Sequence, residues 1–169
     1  KLYAGIMGRT TFKIHAVGSP YYPKISGKPC FWALVFDTKK EMQQWYLRYV
    51  AKRDGDKNAD REAYNFNGFS KELDFEAMCI PWEIVRFDKD GNEERHDCIG
   101  NAIFYKGAIG GGIVAHEMGH CAFWYERLLF GNKQAVFGEE IGEAEERYLH
   151  LLHDFVKMFY QKAYKKKLI

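Results

Sequence analysis

Ile113-Val114-Ala115-His116-Glu117-Met118-Gly119-His120 opens an apolar-periodic segment that runs to Phe130 and stops at Gly131. That periodicity predicts an amphipathic helix, and on a helix each residue turns by about 100°. His116 and His120, four apart, therefore project within about 40° of each other and can reach one metal ion. Two neighbouring imidazoles suit zinc. Glu117 is turned about 100° from His116, near enough to hydrogen-bond a water at such an ion without ligating it, which is the position of a general base. The competing explanation is coincidence: two exposed histidines and a solvated glutamate on an ordinary helix. Histidine is uncommon, so H-E-x-x-H should arise by chance in well under about one chain in a hundred of this length.

Gly107, Gly110, Gly111 and Gly112 lead into this helix. No Gly-Lys-Ser/Thr follows them, so a phosphate loop is excluded, and they are expected to permit a tight strand-to-helix connection. Upstream, Pro81–Asp88 and Cys98–Tyr105 read as strands joined by a hairpin turn through Asp88-Lys89-Asp90-Gly91-Asn92-Glu93. The same turn superficially resembles a calcium loop, but its glycine falls between the second and third candidate ligands instead of after them. Thr11–Val17 and Cys30–Phe36, rich in β-branched and aromatic residues, are two more strands. Thr38-Lys39-Lys40-Glu41 has the form of a capping box. It predicts a helix whose stripe of Met42, Trp45, Tyr46, Tyr49 and Val50 packs on a sheet and which stops at Gly55. Ala51–Ser70 is polar with scattered aromatics, the most loop-like part of the chain. A last helix is expected over Glu139–Lys165, acidic at its start and basic at its end as the helix dipole favours.

The 169 residues amount to about one domain, and 47% apolar against 28% charged residues allow a filled core and argue against disorder. Twenty-five basic against 23 acidic side chains leave a formal charge of +2, too little and too interspersed to favour nucleic acid. The longest apolar stretches, such as Ala102–Tyr105 and Ile109–Ala115, fall far short of the roughly 20 residues of a membrane span. Lys1–Thr10 does not read as an intact secretory signal. The four cysteines, Cys30, Cys79, Cys98 and Cys121, show no C-x-x-C spacing, which fits buried thiols in a reducing, cytoplasmic setting.

A hydrolytic zinc takes three protein ligands and a water, so one more ligand is needed. No histidine follows the motif at the metzincin distance, which directs the search downstream, to the final helix. There Glu143, Glu146, His150 and His153 share one face at helical spacing, beside an apolar face of Leu149, Leu152, Val156 and Phe159. For any one of the four, a solvated polar face is the plainer explanation.

With these residues in place, the chain resembles the gluzincin metallopeptidases, especially short bacterial and phage forms related to minigluzincins and ImmA/IrrE-like peptidases. The likeness covers Ile113 to about Phe159. It implies that His116 and His120 bind Zn2+, that Glu117 is the base, and that a glutamate on the following helix is the third ligand. Glu145-Glu146 followed by an apolar segment looks like the acidic pair of phage relatives and favours Glu146, with Glu143 the alternative. Many relatives carry Asp or Asn four residues after the ligand. Here His150 follows Glu146 and Arg147 follows Glu143.

The expectation is thus one α+β domain over residues 1–169, with a small, mostly antiparallel sheet packed against the motif helix and a ligand helix. It would be a zinc metallopeptidase acting on a protein or peptide substrate. His153 or His150 would orient a ligand or stabilise the oxyanion. Cys98–Tyr105 would be the edge strand that pairs with an extended substrate. The rival expectation is a peptidase scaffold that has become an interaction or regulatory protein without turnover.

Overall fold

The computed structural model describes residues 8–15, 29–55, 74–81, 85–87, 93–95, 98–130 and 143–169. A four-stranded sheet is built from β1 (Arg9–His15), β2 (Cys30–Phe36), β3 (Ala77–Pro81) and β6 (Cys98–Tyr105), in the order β1-β2-β6-β3. β4 (Val85–Phe87) and β5 (Glu93–Arg95) form a separate antiparallel hairpin. The helices are α1 (Lys39–Arg53), α2 (Gly111–Phe130) and α3 (Glu143–Lys165).

The architecture is α+β, as expected, but the sheet is mixed. β1 and β3 run antiparallel to their neighbours, whereas β2 and β6, the two central strands, are parallel. The reason is topological: after β2 the chain leaves through α1 and comes back to the sheet twice, first along its far edge as β3 and then, after the hairpin, down the centre as β6. Cys98–Tyr105 therefore has both sides occupied and offers no free edge. Among the described residues, the edge strands are β1 and β3. Pro81 closes β3, opposite Gly100, at a place where a strand tolerates a residue with no N–H. The expected strand Pro81–Asp88 is divided between the last residue of β3 and the separate hairpin. A hairpin does form here, but β4 pairs with β5 (Glu93–Arg95), which was not expected, and not with Cys98–Tyr105; residues 88–92 of its turn lie outside the described residues.

Alternation along the strands sends side chains to two layers. Phe31, Ala33 and Val35 of β2 join Phe12, Ile14, Ala102 and Phe104 under α2 and α3. Leu34 and Phe36 turn the other way, with Ile80 and Ile103, against Met42 of α1. On the first layer Phe155 and Phe159 of α3 are fully buried, Phe159 lying 4.8 Å from Phe104 between ring centroids. Each buried phenylalanine contributes about 1.5–3 kcal/mol of hydrophobic stabilisation, so α3 is held mainly by this stripe.

The capping box forms as the sequence requires. Thr38 accepts from the Glu41 amide, the Glu41 carboxylate accepts from the Thr38 amide, and Gly55 takes φ 80 just beyond the helix end. Trp45, Tyr46 and Tyr49 pack with Met42. α2 starts two residues earlier than its apolar pattern, with the Val114 amide donating to Gly110. A single 3-10 turn, Lys106–Ala108, makes the connection from β6. Of the four glycines expected to permit this connection, Gly107 is the crowded one, since a Cβ there would lie 2.6 Å from the Tyr105 ring, whereas Gly110, Gly111 and Gly112 have neither positive φ nor crowding at the Cβ position. Residues 139–142 of the expected last helix lie outside the described residues.

Candidate metal centre

Hydrophobic phase fixes which way α2 faces. Val114, Met118, Cys121, Ala122 and Tyr125 are buried against the sheet. The same turns leave His116 and His120 exposed on the opposite side, where their Nε2 atoms meet at 3.2 Å. The rings are edge to face, with centroids 4.8 Å apart and planes at 86°. Two nitrogens bound at ordinary zinc distances and a tetrahedral angle stand about 3.3 Å apart. The donor pair therefore fits a small divalent cation. In the metal-free protein the same approach is a hydrogen bond, one Nε2–H donating to the other Nε2.

Glu117 points differently. It is 6% exposed, and its carboxylate accepts from the backbone N–H of Cys79 on edge strand β3. Burial raises its pKa above the usual glutamate value, against the opposing pull of His116, His120 and the Cys79 amide. A carboxylate held in this way retains a proton more readily than a solvated one, as a general base needs.

Beside the histidines lies a cavity of about 470 Å³, lined by Ala115, His116, Gly119, His120 and Phe123 of α2 and by Tyr148 and Leu152 of α3. The Tyr148 hydroxyl donates to the Gly119 carbonyl at 3.3 Å. Gly119 matters to this approach, because a Cβ there would lie 3.1 Å from the Tyr148 oxygen. Deeper between the same helices, Arg147 reaches Glu126 at 3.8 Å, with Glu126 1% exposed. Neither Tyr148 nor this ion pair stood out in the sequence, where Tyr148 was one more aromatic residue on an amphipathic helix.

The acidic and histidine face of α3 lies elsewhere. Glu146 is exposed, 3.9 Å from His150, and His153 is exposed too. None of the three lines the cavity. The Glu143 side chain lies outside the described residues. Among the described residues, no group of three or more His, Cys, Asp or Glu side chains is placed to hold a metal. Glu145 has the more suitable helical phase: it precedes Tyr148 by three residues and Leu152 by seven, and it is only partly exposed. The apolar face expected from Leu149, Leu152, Val156 and Phe159 is shifted about the helix axis: Leu149 is 44% exposed, while Leu151, Phe155 and Phe159 are fully buried.

No family model matches the chain, and no curated protein or solved structure shows a significant likeness to it. Among the described residues, no helix is long and apolar enough to cross a membrane.

Proposed function

We propose that the chain is a zinc-dependent peptidase whose ion is held by His116 and His120, with Glu117 as general base. The observation that carries this reading is the meeting of the two Nε2 atoms at 3.2 Å, one residue away from a buried carboxylate on the same helical turn. The third protein ligand in this reading is a carboxylate from the Glu145-Glu146 pair. Glu145 has the phase toward α2, whereas Glu146 has the sequence resemblance.

When bound, the ion would supply Lewis acidity and lower the pKa of an adjacent water to about 7. The chain's own groups do the rest. Glu117 takes a proton from the attacking water and delivers it to the leaving amine, and its bond from the Cys79 amide keeps the carboxylate oriented for both transfers. With Cys98–Tyr105 central in the sheet, the edge that can grip an extended peptide on this side is β3, the strand that holds Glu117. An apolar substrate side chain would find Phe123 and Leu152 in the neighbouring cavity. Four sparse cysteines without C-x-x-C spacing are in keeping with a reducing compartment as the setting.

The test is to compare new protein N-termini in a lysate treated with wild type, with Glu117→Gln and with wild type plus chelator. Cleavages found only with untreated wild type support the proposal. Identical N-termini in all three samples refute it.

A second reading, a scaffold that binds without turnover, has one observation in its favour. The Glu117 carboxylate is already engaged by a backbone amide. A partner interaction that survives Glu117→Gln unchanged, with no cleavage by wild type, would favour it.

A further inference from the structure

The sulfur atoms of Cys79 and Cys121 lie 3.5 Å apart, although the residues are 42 positions apart in sequence. Cys79 sits on edge strand β3, half-buried, and Cys121 is fully buried in α2. Each is tied to the candidate centre through the backbone: the Cys79 amide holds Glu117, and Cys121 directly follows His120. Closing the gap to a disulfide length of about 2.05 Å requires each sulfur to move by well under an ångström, within reach of small side-chain rotations. The sheet and helix are already packed at this point, so the chain does not have to bring the thiols together.

We propose that Cys79 and Cys121 form a covalent modification site, a dithiol that peroxide converts into a disulfide joining the edge strand to the motif helix. Access sets the order of events. The Cys79 thiolate attacks the O–O bond of hydrogen peroxide, which breaks to release one water once protonated, leaving a sulfenic acid. The Cys121 sulfur then attacks the Cys79 sulfur, the S–O bond breaks and a second water leaves. In sum, two thiols and one peroxide give one disulfide and two waters, each sulfur being oxidised by one electron and the peroxide reduced by two. A thiol reductant reverses the bond. The inference stands whatever ion the histidines hold.

Cys30 and Cys98, partners across the parallel β2–β6 pair, are the competing thiols, so the experiment must separate the two pairs. Native protein is treated with stoichiometric hydrogen peroxide, quenched by alkylation and digested without reductant, both as wild type and as the C30S/C98S variant. The expected result is a loss of about 2 Da, with the Cys79 peptide linked to the Cys121 peptide in both proteins. The linkage should reverse with dithiothreitol and form on the order of tenfold or more faster than in urea-unfolded chain, as held proximity demands. The same rate after chelation would separate this result from the fate of the metal reading. The proposal is overturned if Cys79 and Cys121 stay as thiols, if Cys79 goes on to sulfinic acid unlinked, or if linkage is no faster in the native state. Should C30S/C98S fail to fold, the wild-type peptide map decides, and a linkage of Cys30 to Cys98 alone refutes the proposal.

Discussion

The Nε2 atoms of His116 and His120 meet 3.2 Å apart on the exposed side of α2, while the carboxylate between them in sequence is buried and accepts from the Cys79 amide of β3. Two basic nitrogens at this separation share one proton in a hydrogen bond or one cation in a coordination site. The prediction is one zinc per chain, lost on His116→Ala or His120→Ala. At ~1,000 times the dissociation constant, a bound ion stabilises a fold by about 4 kcal/mol. Removing it should then lower the Tm by on the order of 10 °C for a domain of this size. Elemental analysis and calorimetry, with and without chelator, check both statements. A Tm indifferent to chelator, with no metal in untreated protein, would sink the centre.

Glu117 should be essential for turnover yet a liability for the metal-free fold. Glu117→Gln is expected to cut cleavage by about 10²–10⁴-fold, the usual contribution of a positioned acid–base group, while keeping the metal. Burial raises the Glu117 pKa in the folded protein above its unfolded value, so the folded state prefers the proton. Below the unfolded pKa both states are protonated and there is no penalty. As pH rises through the unfolded and then the folded pKa, stability is lost and stays lost. Glu117→Gln, whose side-chain oxygen can still accept from Cys79, should therefore stabilise chelator-treated protein at pH 7, with the gain vanishing toward pH 4. Urea unfolding at the two pH values measures this. A destabilised variant at pH 7 would show that the carboxylate is held by more than the Cys79 amide.

Local chemistry carried much of the fold in the sequence. The Thr38–Glu41 box, β2 and β6 all form where the residues placed them, because capping and β-branched or aromatic alternation act over a few residues. β3 was not legible: Ala-Met-Cys-Ile-Pro has little β propensity, and only pairing with β6 makes it a strand. The position of β6 in the sheet depends equally on where β3 lies, which no local pattern encodes. At the site, the four-residue spacing was enough to bring the histidines together. The orientation of α3 about its axis was not determined by spacing, since Leu149 is as apolar as Leu152 but faces solvent.

The two neighbouring glutamates of α3 should differ in their effect on metal affinity. Glu145 shares the helical face of Tyr148 and Leu152, whereas Glu146 is exposed beside His150. Glu145→Gln is expected to weaken zinc binding by at least about tenfold, the scale on which ligand-sphere changes are felt. Glu146→Gln should leave it within a factor of about two, because an exposed pair such as Glu146–His150 contributes at most ~1 kcal/mol and far less to a remote site. Competition titration with a chromophoric chelator distinguishes them. The reverse ranking would restore Glu146 and require α3 to turn about its axis when the ion binds.

Gly119 and Tyr148 should be energetically coupled. Replacing an interior helical glycine with alanine ordinarily gains about 0.8–1 kcal/mol. Here the new methyl would lie 3.1 Å from the Tyr148 oxygen, tighter than ordinary contact, and would press on the hydroxyl that donates to the Gly119 carbonyl. Gly119→Ala in the wild-type background is therefore expected to be neutral or destabilising. Tyr148→Phe alone should cost about 0.5–1.5 kcal/mol, the net worth of one hydrogen bond. In the Tyr148→Phe background the obstructing oxygen is gone, and Gly119→Ala should recover its propensity gain. The double-mutant cycle would then show a coupling of about 0.5 kcal/mol or more in chemical denaturation. Strict additivity would mean that α2 and α3 do not approach each other through this contact in solution.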